Sequence, residues 1–130
     1  MSLKKTTLDK WFSLFIRIRD TNEEGYVQCC TSGVWKHWKD MDAGHFIGRN
    51  CLSTRWDEKN VHAQSRQDNR FLSGKQFEHG RYIDKRYGKG TADKILIKSK
   101  TMSKITQWEI DILAKHYRKE YQRIKKEKGL

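Results

Sequence analysis

Residues 41–74 read MDAGHFIGRNCLSTRWDEKNVHAQSRQDNRFLSG, and this stretch decides which fold we expect. It contains His45, then Asn60 fifteen residues later, then Asn69 after a further nine. An imidazole titrates near neutral pH and can therefore accept a proton from water. An asparagine side chain can brace a loop or offer a carbonyl oxygen to a hard cation such as Mg²⁺. The pattern favours a metal-assisted hydrolytic site.

This spacing is typical of the HNH, or ββα-metal, finger. There a histidine on a hairpin activates water, an asparagine supports the loop behind it, and a residue on the following helix binds a divalent cation. Zinc-stapled fingers also carry two Cys-x-x-Cys knuckles, whose four thiolates hold one zinc ion. The corresponding positions here hold Cys29, Ser32, Ser65 and Asp68.

Only one of these four knuckle positions has a thiol, so we expect no structural zinc. A serine hydroxyl would have to ionise far below its usual range to bind the ion, and Cys30 and Cys51 lie at the wrong spacing to replace the missing thiols. We expect apolar packing and hydrogen bonds to hold the base of the hairpin instead. The side chains predicted to pack there are Trp35, Trp38 and Phe71.

A wider set of residues carries a family resemblance: residues 41–47, Arg49, 54–58, 60–61, 63–64, 69–74, 87–88 and 90–93. With these, the chain from Leu8 to about Ile124 resembles the lambdoid-phage NinG (Rap) recombination nucleases. The resemblance implies an endonuclease that acts on branched or junction DNA in phage recombination, with its catalytic core on an HNH-like finger. The chain departs from the family at the knuckle cysteines, which concerns the zinc and not the catalytic core.

Spacing and resemblance together suggest a role for each side chain. His45 is the expected general base. Asn60 is expected to shape a loop that supplies a backbone carbonyl to the second imidazole nitrogen. Arg49, in the motif GHFIGR, is expected to act on the reacting phosphate.

Two oxygen donors are expected to bind the catalytic cation, magnesium or manganese. Asp42 would supply a carboxylate and Asn69 an amide carbonyl, while water and phosphate complete the coordination. Many fingers of this class place an aspartate or histidine immediately before the base, whereas that position here is Gly44. Asp68 and His62 are alternative ligands to Asp42.

Composition indicates that the partner is a polyanion, and DNA fits best. The 130 residues carry a net charge of +12, with a pI of about 9.8. The cations expected to contact phosphates are Arg49, Arg55, Arg66, Arg70 and Lys75. Trp35 and Trp38 could stack on an unpaired base, although burial against the hairpin is favoured.

The length suits a single domain at 1–130, with the finger at 26–74. No apolar run approaches the roughly 20 residues needed to cross a bilayer, and we find no signal-peptide pattern. Three cysteines, an odd number, argue for a reducing compartment. We therefore expect the cytoplasm of a bacterial or phage-infected cell and no membrane partner. Symmetric cutting of a junction would require two active sites, which suggests a homodimer.

The predicted fold class is α+β, with the small hairpin-plus-helix finger embedded in a mainly helical domain. Residues 7–20 should form an amphipathic helix, because apolar residues recur there at helical spacing. Thr106 and Glu109 match a capping box at the start of a long helix at 103–128. The other predicted elements are strands at 26–28 and 34–38, a hairpin at 41–47, a loop to Trp56, and helices at 65–72, 76–87 and 91–98.

Two functions from different classes remain open. The first is a structure-directed or weakly sequence-selective DNA endonuclease. The second is a non-catalytic DNA-binding protein that retains a degenerate finger. Retention of His45, Asn60 and Asn69 favours the enzyme, because binding alone does not require them.

Overall fold

The computed structural model describes residues 2–130, which form an α+β arrangement of five α-helices and two small antiparallel sheets. The helices are α1 (Thr6–Arg19), α2 (Leu52–Arg55), α3 (Gln76–Tyr87), α4 (Thr91–Ser99) and α5 (Gln107–Glu127). The strands are β1 (Tyr26–Gln28), β2 (Trp35–His37), β3 (Met41–His45) and β4 (Val61–Ser65). Single turns of other helical types occur at Trp38–Asp40, Gln67–Phe71 and Ser73–Lys75. The α+β class is confirmed.

Helices α1 and α5 pack against each other and supply most of the main core. Aromatic rings meet at Tyr117, whose centroid lies 4.8 Å from that of Phe12 and 4.9 Å from that of Phe15. The buried apolar residues of the two helices are Leu8, Phe12, Phe15, Ile16 and Ile18, and Ile110, Ala114, Tyr117, Tyr121 and Ile124. The predicted N-terminal helix and its apolar face are confirmed.

The start of α5 matches the predicted cap. The Thr106 hydroxyl accepts a hydrogen bond from the Glu109 amide at 3.1 Å, which satisfies a backbone donor of the first turn. The helix then runs to Glu127, close to the predicted end. Within residues 2–130, no helix is both long and apolar enough to traverse a bilayer.

The hairpin that carries His45 differs from the predicted one. We expected a complete hairpin within Met41–Ile47, but this stretch supplies only β3. Its partner is β4, in a register that places His45 opposite Val61, and residues 46–60 connect the two strands. Burial explains the difference, because Val61 and Ala63 pack into the main core, whereas the sequence after His45 contains no tight-turn dipeptide.

The helix after the hairpin is also shorter than predicted. We expected it over 65–72, but Ser65 is the last residue of β4 and only a π-helical turn, Gln67–Phe71, follows. The Ser65 hydroxyl accepts a hydrogen bond from the Asp68 amide at 3.2 Å, so this residue caps the turn instead of lying inside it. Gly74 then adopts a φ of 73°, which agrees with its predicted role at a helix end.

The predicted aromatic packing at the hairpin base is only partly correct. Trp38 is buried, and its ring lies 5.9 Å from that of Tyr121. Trp35 is 55% exposed because β2 belongs to a two-stranded sheet and is largely open to solvent. Phe71 is 79% exposed at the end of the π-helical turn. The prediction was therefore wrong for Trp35 and Phe71.

A second apolar cluster lies behind the 46–60 connection. Helices α3 and α4, both predicted, contribute Ile83, Ala92 and Ile95, which pack with Ile47. A buried polar contact joins this region to β4, since His62 Nδ1 lies 3.0 Å from His79 Nε2. The connection that follows His45 is thus supported by a core of its own.

Candidate functional site

A cleft of about 680 Å³ lies between α1, strand β3 and the segment that follows β4. Most of the predicted site residues line it together, namely Asp42, His45, Arg49, Arg66, Asn69 and Arg70. Helix α1 contributes Asp9, Phe12, Ser13 and Arg17, which sequence reasoning did not assign to the site. Asn60 lies behind the cleft, fully buried, and Arg55 and Lys75 are not among the residues that line it.

His45 ends β3, with one ring nitrogen fixed by the backbone. Its Nε2 lies 3.0 Å from the carbonyl oxygen of Arg55. Because a carbonyl oxygen only accepts, Nε2 carries the proton, and Nδ1 keeps its lone pair. Burial lowers the pKa of His45 below its usual value and outweighs the opposing effect of the Arg55 hydrogen bond, while the nearby Arg49 cation lowers it further. The imidazole is therefore neutral near pH 7 and able to accept a proton.

Asn60 closes the connection between β3 and β4. Its Oδ1 accepts from the Ile47 amide at 2.8 Å, and its Nδ2 donates to the carbonyl oxygens of Ile47 and Thr54 at 3.0 Å each. These bonds hold both ends of the loop that presents the Arg55 carbonyl to His45. A shorter or apolar side chain at this buried position would leave backbone groups unpaired.

Asp42 and Asn69 meet at the edge of the cleft. The Asn69 Nδ2 donates to Asp42 Oδ2 at 2.9 Å, and Arg70 donates to both carboxylate oxygens at 2.8 Å. Arg66 lies 3.8 Å from the same carboxylate. Although partial burial alone raises the pKa of Asp42, the hydrogen bonds from Arg70 and Asn69 lower it, so the carboxylate is ionised at neutral pH.

Strand alternation places Asp42 on the same face of β3 as Gly44, the position that corresponds to a ligand in many HNH fingers. Gly44 itself has no room for a side chain, because a Cβ there would collide with the amide oxygen of Gln64. That oxygen is buried and has no hydrogen-bond partner within residues 2–130. Asp42 is the nearest residue of β3 that can turn a carboxylate toward Asn69.

The donor set suits a hard cation but is small. Asp42 and Asn69 supply oxygen donors of the kind that Mg²⁺ prefers, with phosphate and water left to complete six ligands. Residues 2–130 contain no cluster of three or more His, Cys, Asp or Glu side chains that could hold a metal. A cation therefore fits only if Arg70 releases a carboxylate oxygen and Asn69 turns its own oxygen inward.

The two alternative ligands are engaged elsewhere. Asp68 accepts a hydrogen bond from the Thr31 hydroxyl at 2.6 Å. His62 is 1% exposed and lies between His79 and Tyr87, with its Nε2 2.8 Å from the tyrosine oxygen. Neither side chain lines the cleft.

The four residues at the positions compared with zinc knuckles, Cys29, Ser32, Ser65 and Asp68, lie close together and are linked by hydrogen bonds. The Cys29 sulfur accepts from the amides of Ser32 at 3.4 Å and Ser65 at 3.2 Å, and it lies 4.0 Å from Asp68 Oδ2. Burial alone raises the pKa of Cys29, but the hydrogen bonds from Ser32, Thr31 and the Ser65 amide lower it to about 7. Thr31, which bridges the thiol and Asp68, was missed by sequence reasoning because the knuckle pattern does not include its position.

The predicted phosphate-binding cations have different environments. Arg49, Arg66 and Arg70 are exposed at the cleft, with 62%, 48% and 55% of their side chains accessible. Arg55 is only 13% accessible, and its guanidinium donates to Asp9 and to the Arg49 carbonyl. This geometry does not suit the predicted phosphate contact of Arg55. Lys75 has a left-handed backbone and is half-buried after the π-helical turn.

Asp9 is the main site residue that the sequence did not reveal. Its carboxylate accepts from Arg55 Nε at 3.1 Å, from Arg55 NH2 at 2.6 Å and from Trp56 Nε1 at 3.0 Å. Arg49 lies 4.0 Å away. In the sequence Asp9 is an ordinary acidic residue in the first turn of a helix, and no local pattern indicates a contact with residues 46 positions later.

The fold and cleft define an α+β protein with a neutral, backbone-tethered histidine in a cationic groove. A sequence model of the family described as "Bacteriophage Lambda NinG protein" matches residues 3–127. The chain therefore belongs to the NinG family, which confirms the resemblance at family level and suggests a function related to phage recombination. Searches among curated proteins and solved structures gave no significant match.

Proposed function

We propose that this protein is a metal-dependent DNA endonuclease of the HNH type that acts in phage recombination, on branched or junction DNA. The observation that carries the proposal is the His45 imidazole, which lines a cationic cleft with Nε2 bonded to the Arg55 carbonyl. That arrangement leaves Nδ1 as the acceptor for a proton from water. Family membership and the net charge of +12 support the same conclusion.

Each side chain in the cleft then has a chemical task. His45 Nδ1 takes a proton from water as the water oxygen bonds to phosphorus, and the P–O bond to the leaving oxygen breaks. Arg49 stabilises the charge that develops on the phosphate oxygens. Magnesium or manganese held by Asp42 and Asn69 would supply further positive charge to the phosphate. Arg66 and Arg70, which are exposed at the cleft beside Asp42, would contact flanking phosphates.

A cleavage assay with a matched histidine control tests the proposal. Supercoiled plasmid and branched DNA are incubated with the protein and Mg²⁺ or Mn²⁺, and nicked products are counted. We expect His45→Ala to lose about 100- to 10,000-fold in rate while DNA binding persists. His116→Ala is the control, because His116 is exposed on α5, away from the cleft. A loss below tenfold for His45→Ala would contradict the role of general base.

One observation favours the second candidate, a non-catalytic DNA-binding protein. Arg70 holds both oxygens of Asp42, and Asn69 presents its amide nitrogen instead of its oxygen to the carboxylate. In this state the side chains of Asp42 and Asn69 are bonded to each other and to Arg70, as expected of a protein that binds DNA without a cation. Binding to branched DNA with no nicking under Mg²⁺ or Mn²⁺, for both the native protein and Arg70→Ala, would favour this function. Sedimentation with and without junction DNA tests the proposed homodimer.

A further inference from the structure

We propose that Asp9, on α1 and outside the finger, is a positioning residue for His45 and acts through Arg55. This inference rests on the proposed nuclease function. The carboxylate of Asp9 holds the Arg55 guanidinium by two hydrogen bonds, at 2.6 and 3.1 Å. The backbone carbonyl of the same arginine accepts from His45 Nε2 at 3.0 Å. Arg55 thus links Asp9 on α1 to His45, the proposed general base.

The segment around Arg55 is held from several sides. Arg55 NH1 donates to the carbonyl oxygen of Arg49 at 3.0 Å, and the neighbouring Trp56 donates its indole N–H to Asp9 at 3.0 Å. Arg55 belongs to α2, which has four residues and contributes only one buried side chain. So short a helix has little stability of its own, and Asp9 adds a side-chain anchor to the bond that Asn60 makes with the Thr54 carbonyl.

The position of the Arg55 carbonyl decides which imidazole nitrogen is protonated. With the carbonyl 3.0 Å from Nε2, the tautomer with a free Nδ1 lone pair is favoured. If α2 shifts, the Arg55 carbonyl no longer favours a proton on Nε2. Part of the His45 population then carries its proton on Nδ1, the nitrogen that has to accept a proton from water. Displacements of about 1 Å can cost about 100-fold in rate even when substrate binding is unchanged.

A second ion pair on α1 offers a matched control. Asp20, the C-cap residue, also accepts two hydrogen bonds from one arginine, with Arg86 NH1 and NH2 at 2.7 and 2.8 Å. Arg86 lies on α3 and contacts Tyr82, and its backbone makes no hydrogen bond to His45. Asp9 and Asp20 thus each bind one arginine through two hydrogen bonds, at the start and at the end of the same helix. Only the arginine bound to Asp9 accepts a hydrogen bond from His45 through its backbone carbonyl.

The experiment compares Asp9→Asn with Asp20→Asn, each nearly isosteric, at a temperature where both variants are folded. Nicking of supercoiled plasmid gives kcat and KM, and ¹⁵N spectra of the His45 imidazole give its tautomer. We expect Asp9→Asn to lower kcat by about 100-fold with KM unchanged, and to add signal from the second tautomer. Asp20→Asn should leave both readouts as in the native protein. Asp9→Glu, which restores a carboxylate, should recover part of kcat.

Equal effects of Asp9→Asn and Asp20→Asn on kcat, with one unchanged tautomer, would overturn the positioning role. If the native protein does not nick DNA, the proposed function fails, and the imidazole spectrum still decides whether Asp9 controls His45. If the His45 tautomer then changes in Asp9→Asn but not in Asp20→Asn, the positioning of His45 by Asp9 is supported. If it changes in neither variant, that role is rejected.

Discussion

The backbone amide of Ser65 donates a hydrogen bond to the sulfur of Cys29, with 3.2 Å between the two atoms. This contact joins the two segments that zinc joins in stapled fingers, the loop after β1 and the end of β4. Asp68 adds a bond from Thr31 on the same loop. Hydrogen bonds here link the segments that metal–thiolate bonds link in a zinc-stapled finger, and they join the end of β4 to the loop after β1.

The first prediction is that purified protein contains far less than one zinc per chain. One thiolate and one carboxylate cannot close a tetrahedral site, and the Cys29 sulfur already accepts two amide hydrogen bonds. Elemental analysis without added metal measures this directly. A chelator should stop cleavage but leave the unfolding midpoint unchanged. One zinc ion per chain bound through Cys29, or unfolding of the protein by a chelator, would show that a structural zinc site is present.

Sequence patterns predicted the helices that are determined by residues close together in the chain. The apolar periodicity of α1 and α5 marks their faces in the core, and the Thr106 cap marks where α5 begins. The His45, Asn60 and Asn69 spacing predicted residues that do lie in or directly behind one cleft. Each of these signals depends on residues close in sequence or on a spacing with a known structural counterpart.

Long-range partners could not be predicted in the same way. Asp9 reaches Arg55 across 46 positions, and His62 meets His79 across 17, without any repeating pattern. The pairing of β3 with β4 depends on which apolar residues reach the main core. The alternation of apolar and polar residues within Met41–Ile47 does not reveal this. Exposure of Trp35 likewise follows from the small size of its sheet, which its sequence does not reveal.

The second prediction concerns the Arg49 side chain and salt. Binding to DNA should weaken as salt rises. The logarithm of the binding constant should fall with the logarithm of the salt concentration, with a slope of about −0.9 for each phosphate neutralised.

Arg49→Ala should lower kcat more than affinity, because this exposed cation lines the cleft with His45. Filter binding and nicking rates on one substrate measure both. Equal losses in kcat and in affinity would mean that Arg49 binds DNA but does not act on the reacting phosphate. Arg123→Ala, on α5 and paired with Glu120 and Glu127, is the surface control.

The third prediction is that mild acid destabilises the fold mainly through the rings of His62 and His79, with a further contribution from His45, whose pKa is also lowered by burial. Burial lowers the pKa of both rings, that of His79 to about 4, so the folded protein keeps them neutral. In the unfolded chain each returns to a pKa of about 6.5. The unfolded state therefore binds more protons below that pH, and stability, complete above it, declines as pH falls.

Urea unfolding between about pH 7.5 and about pH 5 measures this effect, above the range where carboxylates titrate. The free energy of unfolding should fall by up to about 1.4 kcal/mol per pH unit for each buried histidine. His79→Gln should reduce the slope, whereas His116→Gln, at an exposed position, should not change it. A flat profile in the native protein would mean that the two rings titrate in the folded protein as they do in the unfolded chain.

The fourth prediction tests the packing that Gly44 permits. A Cβ at this position would collide with the amide oxygen of Gln64 and lie 2.9 Å from its Cβ. Since Gln64 is fully buried and donates to Gly74 and Thr31, it has little freedom to move. Gly44→Ala should therefore destabilise the protein by about 1–3 kcal/mol in urea unfolding.

A glycine elsewhere in the same region provides the control for Gly44. Gly48 is exposed, and a Cβ there would meet nothing within 4 Å, so Gly48→Ala should have little effect or a small stabilising one. The double variant Gly44→Ala with Gln64→Ala should cost less than the sum of the single variants, because Gln64→Ala removes the amide group from the collision and leaves only the contact between the two Cβ atoms. Strict additivity in this cycle, or equal stability of the two glycine variants, would show that Gln64 does not limit what position 44 accepts.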